Sequence, residues 1–269
     1  MLLSCCRRVD DPSQPPTIGG VGAASSSPTR RRRWSVWTLV KVVWYTLVYI
    51  LEFSLRALCL RDKTTAVSGG EGVELWPRKL ASARFRLDDM KIVKRAVAEA
   101  TINDVLFGVI SCGLSRYLDI KSPKALPEGL RITGVAMVNL RPQAGLQDIW
   151  KLINSKSGTG WGNKFGTLLL PVYYHSNGSN PLQFVKRAKT MIDKKKLSLE
   201  APFSYKVGDL VMSLFGPKAL TMHMVSYAGF ADLQILVAKD IIPDPKVLAE
   251  CFQNALLEMK EAAKAATKS

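Results

Sequence analysis

Advanced by 100° per residue, residues 34–60 gather Lys41, Tyr45, Glu52 and Arg56 within an arc of about 60°, with Tyr49 and Thr38 at its margins. The rest of the circumference is Val, Leu, Ile, Trp and Phe, which predicts a long apolar helix with one polar stripe. From about Arg78 onward the pattern alternates between helical and extended periods. "LDDMKIVKRAVAEA" has apolar residues at helical spacing with Asp88 placed to cap, and "TINDVLFGVISCGLSRYL" follows as a nearly all-apolar helix capped by Thr101. "RITGVAMVNL" is strand-rich and "LQDIWKLINSK" reads as a helix. Asn180-Pro181 opens the helix "PLQFVKRAKTMIDKKK", because proline suits the first helical position. "ALTMHMVSYAG" and "LQILVAKD" read as a hairpin joined through Gly229-Phe230-Ala231, and Asp244-Pro245 starts a closing amphipathic helix. The alternation predicts an α/β unit over 78–267, with no internal repeat.

Two stretches interrupt this order. Residues 10–29 are rich in Pro, Gly and Ser and read as a linker; residues 61–77 read as a second one. The 269 residues are 47% hydrophobic, enough for a real core, and exclude a disordered protein. A formal charge of +16 favours anionic partners, either nucleic acid or a phospholipid surface. Cys5, Cys6, Cys59, Cys112 and Cys251 are scattered without a CxxC pair, so they read as reduced thiols of a cytosolic compartment and imply no metal site. "MLLSCCRR" has too short an apolar run, with its basic residues on the wrong side, for a signal peptide.

Charge makes the apolar helix a membrane candidate. Arg30, Arg31, Arg32 and Arg33 abut Trp34, and Trp37, Lys41 and Trp44 follow. A spanning helix needs about 20 mostly apolar residues, and a central Lys or Arg costs about 2.5–3.5 kcal/mol. Spanning would require Lys41 and Arg56 to reach opposite faces while Glu52 pairs with Arg56. Lying in the interface would instead keep the stripe wet, seat the tryptophans at headgroup depth and give each arginine about 1 kcal/mol on anionic lipid. The third option is a helix packed on the protein's own globular part. All three stay open at the level of sequence.

Catalytic groups are scarce. His175, in a polar loop, and His223, between methionines on a strand, lack a neighbouring nucleophile or carboxylate motif and read as hydrogen-bonded or packed residues. "SGTGWGNKFG" lacks the Gly-Lys-Ser/Thr ending of a phosphate loop. "KRAKTMIDKKK" reads as a solvated basic face, with CoA phosphates, lipid headgroups or RNA as its functional alternatives. No nucleic-acid-binding motif accompanies the charge, so no nucleic-acid partner is expected. Asn103-Asp104 falls in the first turn of the Thr101 helix, where Asp104 stabilises the terminus.

Five phrases in order, "TINDVLFGVISCGLSRYL", "RITGVAMVNLRP", "GNKFGTLLLPV", "ALTMHMVSYAG" and "VAKDIIPDP", resemble the C-terminal half of the plant wax ester synthase/diacylglycerol acyltransferase family. The resemblance covers essentially the whole chain, including the linker and the basic, aromatic stretch. It implies an α/β, CoA-dependent acyltransferase-like (chloramphenicol acetyltransferase-like) lobe, incomplete and preceded by a membrane-associated helix. It implies further the transfer of a fatty acyl group from acyl-CoA, a substrate and not a cofactor, to a long-chain alcohol or diacylglycerol, giving wax ester or triacylglycerol. The expected setting is the cytosolic face of the endoplasmic reticulum, or the plasma membrane.

Two departures follow from the resemblance. The family's HHxxxDG motif precedes a helix resembling "LLSCCRR", so residues 1–9 are expected to be the remnant of that helix and no histidine here matches the catalytic one. Between "LFGPK" and "ALTMHMV" the family carries a further strand pair, so an internal deletion is expected near 218–219. Carried across by position, Asn103 and Asp104 match the family's Asn-Asp pair as candidates for ordering the site or binding CoA, while Arg141 and Pro142 match a structural turn. The chain is expected to be an acyltransferase lobe inactive in isolation, with membrane lipid and a full-length homologue as partners. The alternative is a non-catalytic membrane-binding or interaction module.

Overall fold

The computed structural model of the protein describes residues 35–69, 73, 76–123, 125–140, 164–176, 180–208 and 219–268. In chain order they form α1 (Val36–Leu58), β1 (Arg78–Arg86), α2 (Leu87–Arg95), α3 (Ile102–Lys121), β2 (Arg131–Asn139), β3 (Phe165–Tyr173), α4 (Pro181–Lys196), α5 (Glu200–Lys206), β4 (Leu220–Tyr227), β5 (Phe230–Ala238) and α6 (Pro245–Lys268).

One sheet has the order β1-β5-β4, antiparallel throughout. Alternate residues of β5, Ala231, Leu233, Ile235 and Val237, are buried in the main core with α2, α3 and α6, while Asp232 and Gln234 face the other way. Tyr227 pairs with Phe230, so the hairpin turn is Ala228-Gly229, both with positive φ, and not Gly229-Phe230-Ala231 as the sequence suggested. Phe230 and Ala231 already belong to β5.

Helix α3 runs through the centre. Its two internal glycines let neighbours come close: a Cβ at Gly108 would press on the Val185 backbone of α4, and one at Gly113 would overlap the Phe252 ring of α6. That close packing offsets the roughly 1 kcal/mol helix penalty of each glycine.

The second sheet is the antiparallel ribbon β2–β3. The outer edge of β3 is closed by side chains of α5. Thr167 N donates to Ser204 Oγ (2.6 Å), and Leu169 N donates to Glu200 Oε1 (2.8 Å). Ser204 Oγ returns a bond to Thr167 O. A short helix thus satisfies an edge that would otherwise expose its amides.

Other expectations shift. Asp88 does not cap α2: Arg86 occupies that position without a side-chain cap, and Asp88 sits in the first turn paired with Lys91. Residues 61–77 do more than link, since Val67 and Val73 enter hydrophobic clusters. The expected segments at 1–9 and 10–29 and the helix "LQDIWKLINSK" lie outside the described residues, as do Arg141 and Pro142.

Candidate functional site

Helix α1 is oriented opposite to an ordinary amphipathic helix. Apart from the exposed Lys41, its polar stripe faces the globular part and is half-buried there, the packed arrangement among the three that the sequence leaves open. Glu52 pairs with Arg131 of β2 and lies 3.6 Å from both Arg56 Nε and Lys195 Nζ of α4. Arg56 donates to Asp62 Oδ1 (2.6 Å) and Thr133 Oγ1 (2.9 Å), and Asp62 in turn accepts from Thr133 N. Leu199 N donates to Thr46 Oγ1 (3.1 Å), while Phe53, the buried residue of α1, meets Phe203 edge-on. Three acids (Glu52, Asp62, Glu200) and three bases (Arg56, Arg131, Lys195) form one interlocked set.

Lys195 and Glu200 sit at its base. Lys195 Nζ lies 2.8 Å from Glu200 Oε2 and 3.8 Å from the Tyr49 ring centroid, and the two side chains are 1% and 0% exposed. Burial raises the Glu200 carboxyl above its usual range, against the lowering effect of Lys195 and the Leu169 amide. Burial, with Glu52 next, pushes the Tyr49 phenol up to about 12. The sequence reads the run "KRAKTMIDKKK" as a solvated basic face, yet its Lys195 is buried. The signal for its burial is its place on the stripe Leu182, Val185, Ala188 and Ile192, which it continues at helical spacing.

The opposite face of α1 is apolar and open. Val36, Trp37, Leu39, Val40, Val43, Trp44, Leu47, Val48, Leu51, Leu55 and Leu58 are exposed, and Lys41 is the one polar exposed residue between Val36 and Leu58. Trp37 and Trp44 are 74% and 63% exposed. Helix α1 is long and apolar enough to cross a membrane by length and composition. Arg30–Arg33 and Trp34 lie outside the described residues.

Asn103 and Asp104 stand elsewhere, at the start of α3. Thr101 N and Oγ1 donate to Asp104 Oδ2 (2.7 and 2.8 Å), and Asp104 N donates to Thr101 Oγ1 (3.3 Å), a complete capping box. Asp104 is fully buried, and its Oδ1 has no hydrogen-bond partner among the described residues. Asn103 beside it is exposed.

His175 is remote from this pair. His175 N donates to Ser115 Oγ (3.2 Å), its ring packs edge-on to Phe184, and its Nδ1 pairs with Glu128. The Ser176 amide, and then His175, hold the Glu128 carboxyl below its usual range. Ser115 lies twelve positions along α3 from Asn103, about 18 Å. His223 is exposed on β4 opposite Gln234. The His175 ring is therefore not placed to take a proton beside Asn103. Among the described residues no group of three or more His, Cys, Asp or Glu could hold a metal ion.

The family model described as WS/DGAT C-terminal domain matches residues 161–221 and 217–260. Wax ester synthase/diacylglycerol acyltransferase 11 of Arabidopsis thaliana is 30% identical over 323 aligned positions, covering 97% of this chain and 66% of that protein. Wax ester synthase/diacylglycerol acyltransferase 5 of the same plant is 27% identical, covering 97% and 64%. The chain therefore spans slightly under two thirds of these relatives, and an alignment longer than its 269 residues means that the relatives carry residues without a counterpart here. Among solved structures, the epimerization domain from the third module of tyrocidine synthetase B superposes with a TM-score of 0.51 at 11% identity, covering 86% of this chain and 57% of that one. That likeness concerns the fold.

Proposed function

Since the chain belongs to the wax ester synthase/diacylglycerol acyltransferase family, with residues 161–260 matching its C-terminal domain, we propose that it is the lipid-facing lobe of an O-acyltransferase. The reaction is transfer of a fatty acyl group from acyl-CoA to a long-chain alcohol or diacylglycerol at a membrane, with the cytosolic face of the endoplasmic reticulum as its setting. The observation that carries this reading is the outward apolar face of α1 mounted on the acyltransferase lobe. Acceptor and acyl chain are both lipids, and an apolar ridge fixed to the lobe keeps it at their source. Arg30–Arg33, immediately before α1 in sequence, would add attraction to anionic headgroups.

Esterification needs a base for the alcohol proton and donors for the developing oxyanion. His175 is tied to Glu128 and Phe184, and His223 lies on an open sheet face, so these residues supply no placed base. The lobe alone is therefore proposed to be inactive. Division of the family match at 217–221 supports a shortened segment near 218–219, beside the edge strand β4. The histidine placement also favours a second reading, a non-catalytic membrane or interaction module that pairs with a full-length relative.

The test is ester formation from palmitoyl-CoA with hexadecanol or diacylglycerol by the purified chain in lipid vesicles, alone and with a full-length relative. No product from the chain alone is expected; turnover by the chain alone would overturn the assignment of the base. A change in the relative's rate on adding the chain supports the acyltransferase-lobe reading, and co-purification with no rate change supports the module.

A further inference from the structure

We infer that α1 lies in the plane of the membrane interface, clamped to the lobe by its polar stripe, and does not cross the bilayer. The inference rests on the lipid-facing reading above and adds the geometry of contact.

The clamp decides between the two orientations. α1 has 23 residues and is centred on Leu47. Were it to span, Lys41, Glu52 and Arg56 would stand about 9, 8 and 14 Å from the bilayer midplane, inside a hydrocarbon half-thickness of about 15 Å. Glu52 and Arg56 would leave Arg131, Lys195, Asp62 and Thr133 to do so, and Lys195 would lose Tyr49. Lys195 is 2% exposed and Arg131 is partly buried, so separation would strip partners from charges on both sides. Lying flat breaks none of these contacts. It turns Val36, Val40, Val43, Leu47, Leu51 and Leu58, one continuous strip about 35 Å long, toward lipid.

The surroundings fit an anionic phospholipid surface. Leu199, bound to Thr46 of α1, is 53% exposed, and its neighbour Leu197 is exposed as well. Lys41, Arg61, Lys63, Lys194 and Lys196 are exposed around the ridge. The acids of the region, Glu52, Asp62 and Glu200, are all held in ion pairs. Cationic flanks with neutralised acids complement anionic headgroups and not a second, equally cationic copy of the chain.

The experiment uses the full chain with Cys5, Cys6 and Cys59 changed to Ser and one nitroxide-labelled cysteine at a time, Val40→Cys, Leu47→Cys or Leu55→Cys. The protein is floated on phosphatidylcholine–phosphatidylserine vesicles and label depth is read by collision with oxygen and a nickel chelate. Flotation with the three labels at one depth, within about 5 Å and in the outer 5–10 Å of the acyl region, is expected. Flotation with depths graded over about 20 Å between Val40 and Leu55 would overturn the in-plane inference while leaving lipid docking intact. Absence of flotation, or labels shielded from both reagents in a dimer, would overturn the inference together with the lipid-facing reading.

Discussion

Replacing Lys195 by Met isolates the energetics of the clamp. Methionine keeps most of the aliphatic stem, so little cavity is made, and three interactions of the ammonium are removed. These are the ion pair to Glu200 at 2.8 Å, the contact to Glu52 at 3.6 Å and the position over Tyr49 at 3.8 Å. The first dominates, because Glu200 is fully buried and would retain only the Leu169 amide as a partner. Breaking a buried pair from one side costs about 3–5 kcal/mol, whereas the ring contact contributes about 1–2 kcal/mol. A loss of about 3–5 kcal/mol at neutral pH is expected from urea unfolding followed by circular dichroism. The pH dependence identifies the cause. Burial already raises the Glu200 carboxyl, so the folded state binds its proton more tightly than the unfolded state, and its contribution to stability declines as pH rises above the ordinary carboxylate range. Without Lys195 that carboxyl rises further, so near pH 4 it is protonated and the variant's deficit should shrink to about 1 kcal/mol, a hydrogen bond's worth. Lys195→Met with Glu200→Gln removes the orphan charge and keeps an acceptor for Leu169, and should recover most of the loss. A deficit equal at both pH values, with no recovery in the double variant, would refute the argument from an uncompensated buried charge.

Gly113→Ala should cost about 1–3 kcal/mol, seen as a lowered Tm, because the added methyl overlaps the Phe252 ring where α3 crosses α6. Thr101→Ala removes a cap that both donates to and accepts from Asp104, and should cost about 1 kcal/mol by denaturant unfolding. Tyr49 and Tyr174 are both pushed up to about 12, the first mainly by burial and the second mainly by its bond to Asp119. Burial raises the Tyr117 phenol as well; the folded values of all three lie above the unfolded one, so stability should fall as pH rises beyond about 10, and phenolate absorbance of the folded protein should show these three tyrosines titrating late.

Much of the helical framework was legible because its signals are local. Thr101 three residues before Asp104, Asn180 before Pro181, and the long apolar periods of α3 and α6 each act within one or two turns. β1 was not evident, since "RKLASARFR" alternates small residues with arginines and has only Phe85 and Ala83 fully buried. β3 was obscured by its glycine-rich approach, and α5 is a seven-residue helix stabilised by tertiary contacts of Glu200 and Ser204 with β3. The orientation of α1 could not be read from its helical wheel. The wheel located the polar stripe, but the partners that bury it, Arg131, Thr133 and Lys195, lie far along the chain on β2 and α4. The Asn103-Asp104 pair was found by pattern, and the structure gives Asp104 its capping role directly.

The central claim is that the outward face of α1 meets lipid. Trp37→Ser, Leu47→Ser and Leu51→Ser alter exposed side chains that the lobe does not bury, so helix content and Tm should be unchanged. Each removal costs about 1.5–3 kcal/mol of apolar transfer, so the triple variant should partition onto vesicles at least about 10³-fold more weakly than the parent. Flotation of the folded triple variant at the parent's level would contradict the account.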